Sequence, residues 1–348
     1  MTERASRVGL LGCGRIGRVH ADLLAGSVAG LTLAAVFDPM SELAEEVGGR
    51  LRVPVAQSAQ ELVDSADIDA VAVCTSTDTH AELVVAAAKS GKAIFCEKPV
   101  SLNLDEVDRA LAAVDEAGVL LHVGFNRRFD PGHRAVRDAV AAGEIGDVHL
   151  VRISSRDPLP PPLEYAAVSG GLFLDMTIHD FDMARFVTGS EVEEVYAQGA
   201  IRIVPELREV GDIDTAVVQL RHANGCLTLI DNSRQAVYGY DQRVEAFGSA
   251  GVARSENPAL NNTVVHGADG GRTAGPAHSF VVRYRQSYQD QWSAFAQALR
   301  TGGPAGPGGD ARAPLVIAFA ALQSHREHRP ITLTRTDHTT TQDRNEVR

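Results

Sequence analysis

Arg7-Val8-Gly9-Leu10-Leu11-Gly12-Cys13-Gly14-Arg15-Ile16-Gly17, near the start of the 348-residue chain, is the stretch on which the fold turns. Arg7 to Leu11 is a compact apolar run of the length and character of a buried strand. From Val19 to Leu24 the residues recur at helical spacing. Strand, glycine turn and helix in this order give GxGxxG its meaning. Gly12 permits the tight turn, Gly14 lets backbone approach a pyrophosphate, and Gly17 lets helix and strand pack closely. Arg15 and Ile16 open a helix whose first N–H groups face the phosphate charge. The stretch thus marks a dinucleotide site, the alternative being an ordinary strand-to-helix turn.

A chain of this length exceeds the size at which one core stops growing, so two domains are expected. Apolar residues make up 44%, and no segment approaches the ~20 apolar residues of a membrane span. Met1 to Arg7 runs straight into the first strand and leaves no room for a cleaved signal, which points to the cytoplasm. A net charge of −12 argues against a nucleic-acid partner. Cys13, Cys74, Cys96 and Cys226 form no CxxC pair and read as buried thiols. The histidines show no metal-ligand spacing, so no metal is expected.

Leu31 to Phe37 is a second strand ending at Asp38, close to the ~20-residue offset of the acidic residue that binds an adenosine ribose. A carboxylate there repels a 2′-phosphate, and Pro39-Met40-Ser41 supplies no cation to welcome one. NAD is therefore favoured over NADP, unless Asp38 merely caps the helix starting near Ser41. Ala70 to Cys74 is a buried strand, and Thr75-Ser76-Thr77-Asp78-Thr79-His80 then opens a helix through Lys89. Such a loop lies at the carboxyl edge of the sheet, where ligands of open α/β sheets bind. His80 suits a capping role as well as cofactor contact. Ala93 to Cys96 leads into Glu97-Lys98-Pro99, and Asn103–Ala117 is a helix before a strand at Val119–Val123. Six β segments alternating with helices are expected, the doubly wound parallel pattern, closing near Gly124.

The texture then changes. Strands at Val148–Ser154, Val195–Ala200, Asp214–Arg221, Cys226–Ser233 and Gln242–Phe247 predict a mostly antiparallel sheet. Ser255 to Pro276 reads as loop with a strand at Thr263–Val265. Thr301 to Gly309 reads as a Gly/Pro loop, and Asp337 to Arg348 as a frayed polar tail. The expected division is a nucleotide-binding domain over 1–124, a substrate and assembly domain over 125–336, and the tail 337–348.

Leu172 to Phe186 predicts one helix on which Asp175 and His179, four apart, share a partly buried face. Lys98 follows a strand at the carboxyl edge, where the nicotinamide end of a dinucleotide would lie. A buried Asp–His pair and a lysine suit proton transfer, though each residue alone also fits a capping or surface role.

GCGRIG after a strand, Glu97-Lys98-Pro99, Gly124-Phe125-Asn126-Arg127-Arg128-Phe129-Asp130 and the Asp-x-x-x-His segment together resemble the Gfo/Idh/MocA oxidoreductases. The likeness spans about Arg7 to Thr334 and is greatest to the members that oxidise inositols, through Ser155-Arg156-Asp157-Pro158, residues 169–185, Tyr238-Gly239-Tyr240-Asp241 and Phe280 through Phe295. It implies a Rossmann domain followed by an α/β domain with a large open sheet that commonly forms the subunit interface of a tetramer. Lys98, Asp175 and His179 match the family's catalytic positions. Thr75, Ser76 and His80 match the loop along the cofactor, Glu97 the same region, and Asn126 and Arg127 positions near the nicotinamide. Asp157, Tyr238 and Tyr288, with Ser155, Asp175 and Thr177, fall where substrate hydroxyls bind. Some inositol-oxidising members carry histidine at position 155 and asparagine at position 157; Ser155 and Asp157 depart from that pattern.

The implied reaction is NAD-dependent oxidation of a secondary alcohol of a cyclic polyol, myo-inositol to 2-keto-myo-inositol. Histidine's unperturbed pKa near ~6.5 suits His179 as general base, with Lys98 hydrogen-bonding the developing alkoxide. Lys98 as proton acceptor is the alternative. Rival readings are another inositol isomer or an aldose as substrate, or a dinucleotide-binding regulator without catalysis.

Overall fold

The computed structural model describes residues 4–302 and 311–334. Most of the Gly/Pro loop after Thr301, and the whole polar tail from Asp337, lie outside the described residues. The chain divides into two compact units. The first contains the described residues through Asn126 and those within Tyr288–Ala313. The second contains Arg127–Ser287 and the described residues from Pro314.

In the first unit, β1 (Ser6–Leu11), α1 (Arg15–Leu24), β2 (Leu31–Phe37), α2 (Ser41–Leu51), α3 (Ala59–Asp64), β3 (Ala70–Val73), α4 (Thr77–Lys89), β4 (Ala93–Cys96), α5 (Leu104–Ala117) and β5 (Leu121–Val123) alternate. The sheet is parallel, in the order β2-β1-β3-β4-β5. β3 and β4 are buried along their whole length, as strands covered on both faces require. The sheet has five strands rather than six. The five are the segments named individually from the sequence; beyond them Val55 makes only an isolated parallel bridge to Val36. Pro54 offers its carbonyl to Val36 N but has no N–H for a longer ladder.

Connection direction reverses between β1 and β3, so the carboxyl ends of these strands flank the switch point at which such sheets bind ligands. Helix starts are locally encoded. Ser58 caps α3, and Asn103 caps α5 through the amides of Asp105 and Glu106.

The second unit carries α6 (Pro131–Ala141), β6 (Val148–Arg156), α7 (Leu163–Ala166), α8 (Gly171–Asp175), α9 (Ile178–Thr188), β7 (Val192–Ala200), β8 (Thr215–His222), β9 (Leu227–Ser233), β10 (Asp241–Gly248) and β11 (Gly251–Ser255). A hairpin of β12 (Val264–Gly267) and β13 (Gly270–Thr273) occupies the span read as loop, followed by α10 (Phe280–Arg283). α11 (Arg285–Thr301), α12 (Ala313–Glu327) and β14 (Ile331–Thr332) complete the described chain. The large sheet runs β11-β10-β6-β9-β8-β7-β14 and is antiparallel except where β6 pairs with β9. Along β8 and β9 buried and exposed residues alternate, so one face is covered and the other meets solvent. No helix among the described residues is long and apolar enough to cross a membrane.

Phe95 on β4 is fully buried and stacks on Trp292 with ring centroids 4.2 Å apart. Phe95→Ala is expected to cost about 3–5 kcal/mol, read as a lowered urea midpoint with an unchanged slope.

Candidate active site

In the first unit the three glycines occupy three different environments. Gly12 has φ +97°, and a Cβ there would lie 2.5 Å from the Cys74 backbone. A Cβ at position 17 would overlap the Gly12 carbonyl oxygen, so α1 could not start where it does. A Cβ at Gly14 would meet nothing within 4 Å. The space beside the Gly14 backbone is therefore open. Gly14 also stands at the N-cap of α1 without a capping side chain, ahead of Arg15 and Ile16.

Asp38, just past β2, accepts from Cys13 N at 2.7 Å and Met40 N at 2.9 Å. Its carboxylate thus ties the glycine turn to the entrance of α2 and keeps lone pairs for further donors. Ser76 is the N-cap of α4, and Thr75 shares a 2.6 Å hydroxyl contact with Thr79. His80 is buried, its ring nitrogens 3.0 Å from Thr75 O and 2.9 Å from Pro99 O. It staples the loop after β3 to the loop after β4. Lys98 is half-buried in that second loop, next to the buried Glu97. Asn126 is buried, and its Nδ2 makes no hydrogen bond among the described residues, so it fits an acceptor such as a carboxamide or hydroxyl oxygen. These features fit a dinucleotide with a diol at Asp38 and its pyrophosphate over Gly14.

In the second unit the Asp175–His179 segment departs from the expected single helix. Asp175 ends α8 and His179 sits in the first turn of α9. Thr177, at the break, donates its hydroxyl to Asn232 Oδ1 at 2.7 Å, with Leu172 O 3.2 Å from the same oxygen. Its hydroxyl is drawn toward the sheet, and that pull competes with a continuous helical ladder. Asp175 Oδ1 accepts from the Tyr165 hydroxyl at 3.0 Å, and Oδ2 lies 3.4 Å from the buried Arg234 guanidinium.

Arg127 is committed to a buried network. It donates to Asp180 at 2.6 Å and to Ser155 Oγ at 3.3 Å, with Tyr240 OH 3.5 Å away. Asn232 donates to the other Asp180 oxygen at 2.8 Å. Ser155 in turn donates to Gln242 at 3.1 Å. The neighbouring Arg128 makes a bidentate pair with Asp182 at 2.8 and 2.6 Å. Two adjacent arginines thus hold two carboxylates of α9. Burial raises the Asp180 carboxyl, and Arg127 opposes that rise.

Asp157 is pushed up to about 6, chiefly by burial; Arg234 and Arg127 pull it down, and Asp175 and Asp180 push it up. Tyr238 is 49% exposed; it donates to Asp241 at 2.6 Å and accepts from Arg156 at 2.9 Å. Tyr288 belongs to the first unit, where its ring meets the edge of His20 at 5.5 Å. Among the described residues no cluster suits a metal, and all four cysteines are buried free thiols.

Asp180, Asn232, Arg234 and Gln242 were not singled out from the sequence. Asp180 adjoins His179 and could have been suspected from the pair of arginines at 127 and 128. The other three lie on or beside strands and carry no local signature.

A family profile described as "Oxidoreductase family, NAD-binding Rossmann fold" matches residues 6–125, and one described as "GFO/IDH/MocA C-terminal domain" matches residues 133–254. The chain is 46% identical over 329 residues to a myo-inositol 2-dehydrogenase of Thermotoga maritima, covering 94% of this chain and 98% of that one. It is similar to the crystal structure of a putative myo-inositol dehydrogenase from Sinorhizobium meliloti 1021, with TM-score 0.91, 44% identity and coverage of 95% and 100%. A scyllo-inositol dehydrogenase from Lactobacillus casei, solved with NAD(H) and scyllo-inositol, matches with TM-score 0.87 at 27% identity, over 94% and 99% of the chains.

Gly14→Ala is expected to leave the melting temperature unchanged and to weaken NADH binding by more than about tenfold, read by nucleotide fluorescence. Gly17→Ala is expected to lower stability as well, by about 1–3 kcal/mol.

Proposed function

Since the chain belongs to the GFO/IDH/MocA oxidoreductase family, with an NAD-binding Rossmann domain, we propose that it oxidises a ring carbon of an inositol, myo-inositol to 2-keto-myo-inositol. The observation that carries the substrate class is the half-buried Asp175, whose carboxylate accepts from Tyr165 at 3.0 Å and lies 3.4 Å from the buried Arg234, in a chain 46% identical to a myo-inositol 2-dehydrogenase. Ring hydroxyls need acceptors at close range, and the Asp175 carboxylate supplies them.

NAD, when bound, supplies the hydride acceptor. Its holding residues in this reading are Gly12, Gly14, Arg15, Ile16 and Gly17 at the pyrophosphate and Asp38 at the ribose. Thr75, Ser76 and His80 line its path, and Asn126 serves its far end. His179 takes the proton from the reacting hydroxyl. Lys98 donates a hydrogen bond to that oxygen as negative charge develops on it. Asp175, itself held by Arg234 and Tyr165, accepts from a hydroxyl and orients the ring. Asp157 and Tyr238 receive further hydroxyls, while Ser155 and Thr177 set the shape of the network behind them. Arg127, paired with Asp180, acts on the polyol side rather than on NAD. Tyr288, packed on His20, supports the cofactor-binding unit.

The reading extends to a cytoplasmic homotetramer. Four cysteines kept as thiols suit a reducing compartment. The open face of the seven-stranded sheet presents Val217, Leu227, Phe247 and Val252, each about half exposed, as a surface for a second copy.

The test is NADH formation with NAD or NADP against myo-, scyllo- and chiro-inositol, glucose and xylose. Turnover with NAD and an inositol is expected, and turnover confined to an aldose would overturn the substrate. Lys98→Ala is expected to lower kcat by about 10²–10⁴. Asp157 yields a pH signature. As pH falls through about 6 it takes a proton and loses acceptor capacity, so the KM for the polyol rises. Asp157→Asn is expected to remove that inflection, seen as the difference between the two KM profiles.

A further inference from the structure

Three buried side chains of the first unit form a directed chain that ends at Lys98. The Trp292 indole N–H, on α11, donates to His20 Nδ1 at 2.9 Å. An indole can only donate, so Nδ1 must carry the lone pair and the ring proton must sit on Nε2. His20 Nε2 then donates to Glu97 Oε1 at 2.8 Å. The other carboxylate oxygen, Oε2, accepts the backbone N–H of Lys98 at 3.2 Å. Trp292 and His20 are fully buried, and Glu97 nearly so.

The packing around this chain allows little freedom. The Trp292 ring is stacked on Phe95, the residue two before Glu97. Tyr288 and Phe95 meet the His20 ring edge-on, at 5.5 and 5.1 Å. A Cβ at Gly124 would lie 2.8 Å from Glu97 Oε2, so the glycine leaves the room this carboxylate occupies. With one oxygen taken by His20 and the other by its own neighbour's amide, Glu97 is directed into the protein.

We infer that Trp292, His20 and Glu97 are positioning residues for Lys98, setting the backbone from which its ammonium reaches the reacting oxygen. The inference rests on the reading of Lys98 as a catalytic residue. It assigns Glu97 to Lys98 rather than to the cofactor, and it gives α11, late in the chain, a part in the chemistry. A displaced aligned group loses rate without losing bound cofactor.

The test is a set of double-mutant cycles on the full chain. Glu97→Gln keeps the shape of the side chain but replaces one acceptor with an amide donor. Trp292→Phe keeps an aromatic ring beside Phe95, removes the N–H donor and leaves a smaller ring, whose packing cost the melting temperature reports. Each is made in the wild-type and the Lys98→Ala backgrounds, with kcat, KM, the NADH dissociation constant and the melting temperature measured. With Lys98 present, kcat is expected to fall about 10- to 100-fold for Glu97→Gln and about tenfold for Trp292→Phe. NADH affinity should stay within about twofold in both. With Lys98 absent, neither substitution should lower kcat by more than about twofold. Equal losses in both backgrounds, or a loss carried by NADH affinity, would overturn the positioning role and leave Lys98 as catalytic. Wild-type activity in Lys98→Ala alone would overturn the catalytic reading itself, and the positioning role with it. If Glu97→Gln does not fold, Trp292→Phe decides the question by the same comparison.

Discussion

The first unit depends on two backbones passing closer than any side chain would allow. The Gly12 carbonyl occupies the space a Cβ on residue 17 would need, and Gly12 itself lies against the backbone of Cys74. These contacts seat the start of α1 against the carboxyl ends of β1 and β3 at the point where the sheet reverses direction. The helix N-terminus is thereby aimed at the one place in the sheet where a ligand can lie across strand ends. Asp38 reinforces the seat by accepting from Cys13 N. The remaining parts of this half, the Thr75 loop and the Glu97-Lys98-Pro99 loop, are joined to each other by the His80 ring.

The second unit solves a different problem, the burial of charge. Arg127 with Asp180 and Arg128 with Asp182 are ion pairs whose acids are almost wholly shielded from water. Desolvating such groups costs several kcal/mol per ion, and removing one partner of such a pair costs about 3–5 kcal/mol. The pairs persist because the remaining valences are also filled, by Ser155, Asn232 and Tyr240 around Arg127 and Asp180. A polar core satisfied in this way holds α9, and with it His179, in one register. The cost of burial still shows at Asp157, where two guanidinium groups do not fully offset desolvation and two neighbouring carboxylates.

Adjacent residues of one short motif are used differently in this molecule. Glu97 turns inward to His20 and Trp292, while Lys98 remains half-buried. Arg127 and Arg128 diverge to separate carboxylates. Asp175 and His179 fall on two helices, and Thr177 between them bonds Asn232 on β9. In each case sequence proximity identified the neighbourhood, and the direction of each side chain followed from contacts with residues far along the chain.

By itself the sequence determined whatever is encoded locally. The strand–glycine–helix stretch, the alternation of apolar strands with helices, the acid at the end of β2 and the later change to antiparallel strands all follow from spacing and backbone freedom within short windows. Only the tertiary structure decided which polar groups share a buried space. The partnership of Trp292 with His20 spans most of the chain, and Arg234 reaches Asp175 from a different strand end. No periodicity records such pairings, because they arise when long-range packing excludes water and obliges each buried donor to find an acceptor.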